Sequence, residues 1–204
     1  MAEEKARIGI MGGTFDPIHV GHLVTAEAVR EAYGLAKVVF IPAANPPHKQ
    51  DRAITAANHR LAMTRLAVQS NPYFQVSALE MERKGLSYTL DTVYELVQRF
   101  GASCIFYFIT GADEIRDLPQ WYHIEELLQL CHFIAATRQG CRPDIKNVQQ
   151  HLGALGYERV HQLTTPELEI SSTDIRVRVR SGRSIKYIVP AAVEEYIYKE
   201  GLYK

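Results

Sequence analysis

The chain is predicted to be an α/β protein: a doubly wound parallel sheet with helices following it at the C-terminal side. Two observations carry that expectation. Short apolar runs rich in Val, Ile and Phe alternate with longer stretches of helical period. Several of these runs, such as VVFI and CIFYFI, are apolar at successive positions instead of every second one, the pattern of strands covered by helices on both faces. At 204 residues and 47% hydrophobic, the chain can bury one core and falls short of two comfortable ones. One domain spanning residues 1–204 is therefore expected.

The candidate strands are 7 to 11 (RIGIM), 37 to 41 (KVVFI), 74 to 79 (FQVSAL), 104 to 110 (CIFYFIT), 132 to 137 (HFIAAT) and 159 to 163 (RVHQL). Helices are expected near 21 to 33, 57 to 70, 89 to 100, 122 to 130 and 144 to 154. Leu61, Leu66 and Val68 would form the inward face of the second, and Val93, Leu96 and Val97 that of the third. Two further short helices should follow, one entered at SSTD and one at Pro190, since proline favours the first helical turn.

Charge and cysteine content exclude several classes. Lys plus Arg and Asp plus Glu are 23 each, which argues against a broad nucleic-acid or anionic-membrane surface. Any anion site must be local. The opening MAEEKAR is polar, and no run reaches the ~20 apolar residues needed to span a bilayer. An unexported, cytoplasmic protein is expected. Cys104, Cys131 and Cys141 show no C-x-x-C spacing, so reduced thiols are expected in place of a disulfide frame or a zinc site.

Directly after the first strand comes GGTFDPIHVGH, residues 12 to 22. In an open α/β sheet, ligands bind beyond the carboxyl ends of the strands, where strand order reverses. Three readings of this stretch compete. It can be a tight strand-to-helix turn in which Asp16-Pro17 bends the chain and the histidines are incidental. It can be half of a metal site, since His19 and His22 are three apart, although no third ligand lies nearby. Or it can hold phosphate: glycines let the backbone approach, the helix N-terminus offers free N–H groups, and histidines add donors. Neither G-x-x-x-x-G-K-[ST] nor G-x-G-x-x-G fits here.

The stretch Gly12-Gly13-Thr14-Phe15-Asp16-Pro17-x-His19-x-Gly21-His22 resembles the signature of the nucleotidyltransferase superfamily, with its H-x-G-H element. Far along the chain, Ile170-Ser171-Ser172-Thr173-Asp174-Ile175-Arg176 is similar to the superfamily's I-S-x-T-x-x-R. IPAANPPHK (41 to 49), SYTLDTV (87 to 93), TGADEIRDLPQWYHIEELL (110 to 128) and the tail RSIKYIVPAAVEEYI narrow the resemblance to the bacterial nicotinate-nucleotide adenylyltransferases, over Ile8 to about Leu202. Residues 140 to 157 carry nothing diagnostic.

This resemblance implies a Rossmann-like nucleotidyltransferase fold and transfer of the adenylyl group of ATP to the 5′-phosphate of nicotinate mononucleotide. The products would be deamido-NAD and pyrophosphate, in NAD biosynthesis. His19, His22, Lys49 and Arg176 would be catalytic. ATP would be bound by Gly12, Gly13, Thr14, Phe15, His19, His22, Gly111, Asp113, Ile170, Ser172, Thr173 and Arg176. The mononucleotide would meet Lys49, Tyr88, Thr89, Asp113, Trp121 and Tyr122, with Trp121 stacked on the pyridine ring. Asp16 would shape the turn. Mg2+ is implied with ATP, held mainly by phosphate oxygens and water; no protein ligand for it is assigned. Small-molecule substrates, no nucleic acid and no membrane are expected, and a homodimer is left open. The rivals are a related adenylyl- or cytidylyltransferase with another phosphate acceptor, and a nucleotide-binding module without catalysis.

Overall fold

The computed structural model describes residues 5–46, 54–83, 85–137, 145–166 and 168–204, with only the main chain of Ala102, Ala112 and Asp113. Its centre is a six-stranded sheet. Strand β1 (Ala6–Gly13) leads into helix α1 (Val20–Tyr33), β2 (Lys37–Pro42) into α2 (Ala57–Val68), and β3 (Phe74–Val76) into α3 (Leu79–Glu82) and α4 (Thr89–Phe100). Strand β4 (Cys104–Gly111) is followed by α5 (Ala112–Ile115) and α6 (Ile124–Leu130), β5 (Cys131–Thr137) by α7 (Ile145–His151) and α8 (Gly153–Arg159), and β6 (Val160–Thr164) by α9 (Ser172–Arg180) and α10 (Ala191–Lys199). The strands lie in the order β3-β2-β1-β4-β5-β6, and all five pairings are parallel. This is the doubly wound Rossmann-like sheet expected from the sequence.

Successive strand residues feed opposite cores, which explains the uninterrupted apolar runs. Along β4, Phe106 and Phe108 pack with the buried faces of α4 and α6, while Tyr107 and Ile109 pack with α1, α9 and α10. Along β2, Val39 and Ile41 join the first core, and Val38 and Phe40 the second.

Four expectations are corrected. Strand β3 ends at Val76, and Leu79 begins a helix. Here the Ser77 hydroxyl accepts from the Leu79 N–H at 3.3 Å and turns the chain. The helix expected over 144 to 154 is two helices, broken at Gly153, whose φ of +62° lies in the left-handed region. Pro190 is the N-cap of α10 and not its first helical residue. The buried stripe of α2 is Arg60, Met63, Thr64, Ala67 and Val68; Leu61 and Leu66 are only half-buried. A charged side chain occupies the place where the sequence pattern put leucine.

Candidate active site

Adjacent strands β1 and β4 send their following helices to opposite faces of the sheet, so their carboxyl ends part and leave a crevice. Its volume is about 490 Å³, within the range of small-molecule sites. One wall is residues 11 to 16 with His19, Gly21, His22 and Thr25. The opposite wall is Ile109, Thr110, Gly111 and Glu114, continued by Ala136. Thr165, Pro166, Leu168 and Ile170 lead along the rim to Ser172, Thr173 and Arg176.

His19 is the N-cap of α1, and the first turn of that helix carries no acidic residue, so its positive end is open to an anion. The His19 N–H donates to His22 Nδ1 at 3.2 Å. A neutral His22 therefore carries its proton on Nε2 and offers it as a donor. The two rings stack with centroids 3.7 Å apart, and Phe15 meets His22 edge-on at 5.1 Å. Gly21 has a steric reason to lack a side chain: a Cβ there would stand 3.1 Å from His19 Nδ1. The His19 residue is only 7% exposed, and Nδ1 has no hydrogen-bond partner among the described residues. Burial pulls its pKa down to about 4. In the free protein at neutral pH, His19 is uncharged.

The second motif meets the first directly. Arg176 Nη1 donates to the Asp16 carbonyl at 2.7 Å, and Ser172 Oγ donates to the Pro17 carbonyl at 2.9 Å. Arg176 Nη2 also donates to Thr173 Oγ1 at 3.2 Å. Helix α9 is capped by Ser171, whose hydroxyl accepts from the Asp174 N–H at 3.1 Å. Asp16 itself is buried and held at both carboxylate oxygens, by the Tyr203 hydroxyl at 2.7 Å and the Thr55 N–H at 3.2 Å. That geometry suits a turn-shaping role.

The other expected site residues are less completely gathered. Lys49 lies outside the described residues. Asp113 has its main chain in α5, directly beyond β4, and its side chain is not among those described. Tyr88, Thr89, Trp121 and Tyr122 do not line the crevice. Trp121 sets its ring edge-to-face against Phe108 and Phe133, at 5.8 and 5.7 Å, and Tyr88 stacks on Tyr122 at 4.6 Å. Thr110, Glu114, Thr165 and Leu168 line the crevice without having been singled out from the sequence; their position at or just beyond strand ends was the available signal. Thr110 Oγ1 donates to Glu114 Oε2 at 2.7 Å. Among the described residues there is no group of three or more His, Cys, Asp or Glu able to hold a metal ion, and no helix long and apolar enough to cross a membrane.

The cytidylyltransferase-like family model matches residues 10–178, which span both motifs. A protein of Moorella thermoacetica named "Probable nicotinate-nucleotide adenylyltransferase" is 52% identical, the match covering 100% of this chain and 94% of the relative. A protein of the same name from Thermoanaerobacter sp. is 50% identical, covering 99% of this chain and 96% of the relative. In fold, the chain is similar to Plasmodium falciparum nicotinic acid mononucleotide adenylyltransferase, solved in complex with NaAD, at a TM-score of 0.79 and 21% identity over 97% of each chain. The chain belongs to the cytidylyltransferase-like family, and within it to the nicotinate-nucleotide adenylyltransferases.

Proposed function

We propose that the crevice binds ATP and transfers its adenylyl group to the 5′-phosphate of nicotinate mononucleotide. A phosphate oxygen of the mononucleotide attacks the α-phosphorus, the bond to the β-phosphate oxygen breaks, and its electron pair leaves with pyrophosphate. Deamido-NAD is the other product. The observation that carries this reading is the junction of Arg176 with Asp16 and of Ser172 with Pro17, which brings two phosphate motifs to one crevice.

The attacking oxygen is anionic at neutral pH, so the site needs alignment and charge neutralisation in place of a general base. His22 Nε2 and the partnerless Nδ1 of His19 supply donors at the helix end. Burial alone keeps His19 neutral; a bound triphosphate favours its charged form and draws a proton to it. Arg176, Ser172, Thr173 and the backbone of residues 12 to 15 hold the remaining phosphate oxygens, with Ile170 and Gly111 along the nucleotide. Lys49 adds a cation, and Asp113 accepts from a ribose hydroxyl. The resemblance implies an Mg2+ ion that comes with ATP, carried mainly by phosphate oxygens and water. Such an ion would neutralise charge on the leaving pyrophosphate.

On the acceptor side, Trp121, packed edge-to-face against Phe108 and Phe133, is assigned to the pyridine ring, and Tyr88, Thr89 and Tyr122 to the rest of the mononucleotide, although none of the four lines the crevice. We read residues 1–204 as one nucleotidyltransferase domain, cytoplasmic, without nucleic-acid partners and with a homodimer left open. Pyrophosphate release measured with nicotinate and nicotinamide mononucleotides tests the substrate: the acid should react about tenfold faster or more, because donors matched to its carboxylate are left unpaired by the amide. Equal rates would overturn the acceptor assignment. No release with any mononucleotide would favour the binding module. Trp121→Ala should raise KM for the mononucleotide about tenfold and that for ATP less than about twofold; an equal rise in both would remove the stacking role.

A further inference from the structure

Arg60, on α2, is the largest fully buried side chain in the protein's described part and is only 1% exposed. It does not line the crevice. Its guanidinium donates to four main-chain carbonyls: Nη1 to Thr14 at 2.7 Å and Ala43 at 2.7 Å, Nε to Thr55 at 2.8 Å, and Nη2 to Ala44 at 3.3 Å. Three stretches of chain, after β1, after β2 and before α2, are thus held by one group. An arginine sealed from water costs more than an apolar residue of its size unless its donors are matched, so core packing alone does not account for it. Its planar fork is suited to fixing several carbonyls at once.

We propose that Arg60 is a positioning residue for adenylyl transfer, acting through the Thr14–Phe15 peptide. This rests on the reading of the crevice as an ATP site. In a planar trans peptide the C=O and the following N–H point in opposite directions. Arg60 draws the Thr14 carbonyl back, away from the crevice, so the Phe15 N–H faces forward to a phosphate oxygen. The Phe15 backbone has φ +48°, a left-handed conformation that a phenylalanine adopts only when its surroundings impose it. The hydrogen bond at Thr14 O is one such constraint, and the burial of the Phe15 ring is another. A lysine at position 60 would keep a charge but not the fork, and the peptide would be free to turn its carbonyl toward the phosphates.

The test uses the full chain, with Arg60→Lys and Arg60→Gln. In the wild type, adding a non-hydrolysable ATP analogue should shift the Phe15 amide resonance downfield, as a new hydrogen bond to phosphate requires. In Arg60→Lys that shift should be lost, with kcat/KM for ATP lowered about 100-fold and KM for the mononucleotide changed less than about threefold. Arg60→Gln should behave alike. A full downfield shift in either variant, or near-normal kcat/KM for ATP in one that melts cooperatively, overturns the positioning role. If the analogue binds the wild type without moving the Phe15 amide, the proposal fails even should neither variant fold. If the wild type does not bind the analogue at all, the reading of the crevice fails instead, and the proposal with it.

Discussion

Among the described residues, two histidine pairs stack at opposite ends of the sheet, and His19 in one and His132 in the other are alike in their shift but differ in their partners. His19 and His22 stack at 3.7 Å beyond the carboxyl end of β1, and His132 and His161 at 5.2 Å near the amino ends of β5 and β6. Burial pulls His132 down to about 4, with Arg159 and His161 adding to it, and burial alone does the same to His19. Yet His132 is matched at both nitrogens. Arg159 Nη1 lies 3.1 Å from its Nε2, and its Nδ1 is 3.0 Å from His161 Nε2. Since arginine only donates, His132 Nε2 must accept, which leaves Nδ1–H to donate to His161. The pair is closed. His19 keeps a buried nitrogen, unpartnered among the described residues, in a crevice wall. A depressed histidine pKa therefore reports burial; what sets His19 apart is that its unmatched nitrogen lies in the crevice wall, whereas the unmatched Nε of Arg159 beside His132 does not.

The largest consequence of that difference should appear in turnover. His19→Ala should lower kcat by about 10³-fold, as loss of a transition-state donor does, while His132→Ala stays within about twofold. Comparable losses in both would erase the distinction. Ligand response should separate the pairs next: followed by NMR, the His19 pKa should rise from about 4 in the free protein when ATP binds. That of His132 should not move. Both groups also shape stability against pH in the same sense. Their folded pKa values lie below the ordinary 6.5, so the unfolded chain binds more protons in the interval between. Stability should be intact above pH ~6.5 and fall as pH drops toward 4, lowering Tm by about 10 °C; saturating ATP should lessen the loss. A Tm flat over that interval would contradict the buried, neutral state. The smallest effect belongs to His161→Phe, which strands the His132 Nδ1–H. It should cost about 1 kcal/mol, some 2 to 4 °C in Tm, with turnover unchanged.

Legibility in the sequence followed the range of the physics involved. Runs such as VVFI and CIFYFI announce strands because each residue meets a covered face, and all six strands were placed within a few residues. Where a local turn decided, the reading slipped: Ser77 bends the chain before Leu79, and Gly153 breaks a helix. The α2 face was misread because Arg60 sits in phase with Met63 and Ala67. An arginine on a buried stripe contradicts the apolar pattern, and that contradiction was itself the clue. His19, His22 and Arg176 were readable as motifs. Thr110, Glu114, Thr165 and Leu168 were not, since the strand order alone, β1 beside β4 and β4 beside β5, brings them to one crevice.

The contacts of Arg176 with the Asp16 carbonyl and of Ser172 with the Pro17 carbonyl also bear on how the protein is made. During synthesis the glycine turn and its histidines leave the ribosome first, and some 150 residues must follow before their partners arrive. Until then the proposed phosphate clamp lacks one half, however well β1 and α1 have formed. A partly made chain, or one cut before α9, should bind nucleotide weakly and transfer nothing, so on the proposed reading ATP waits for folding to reach α9.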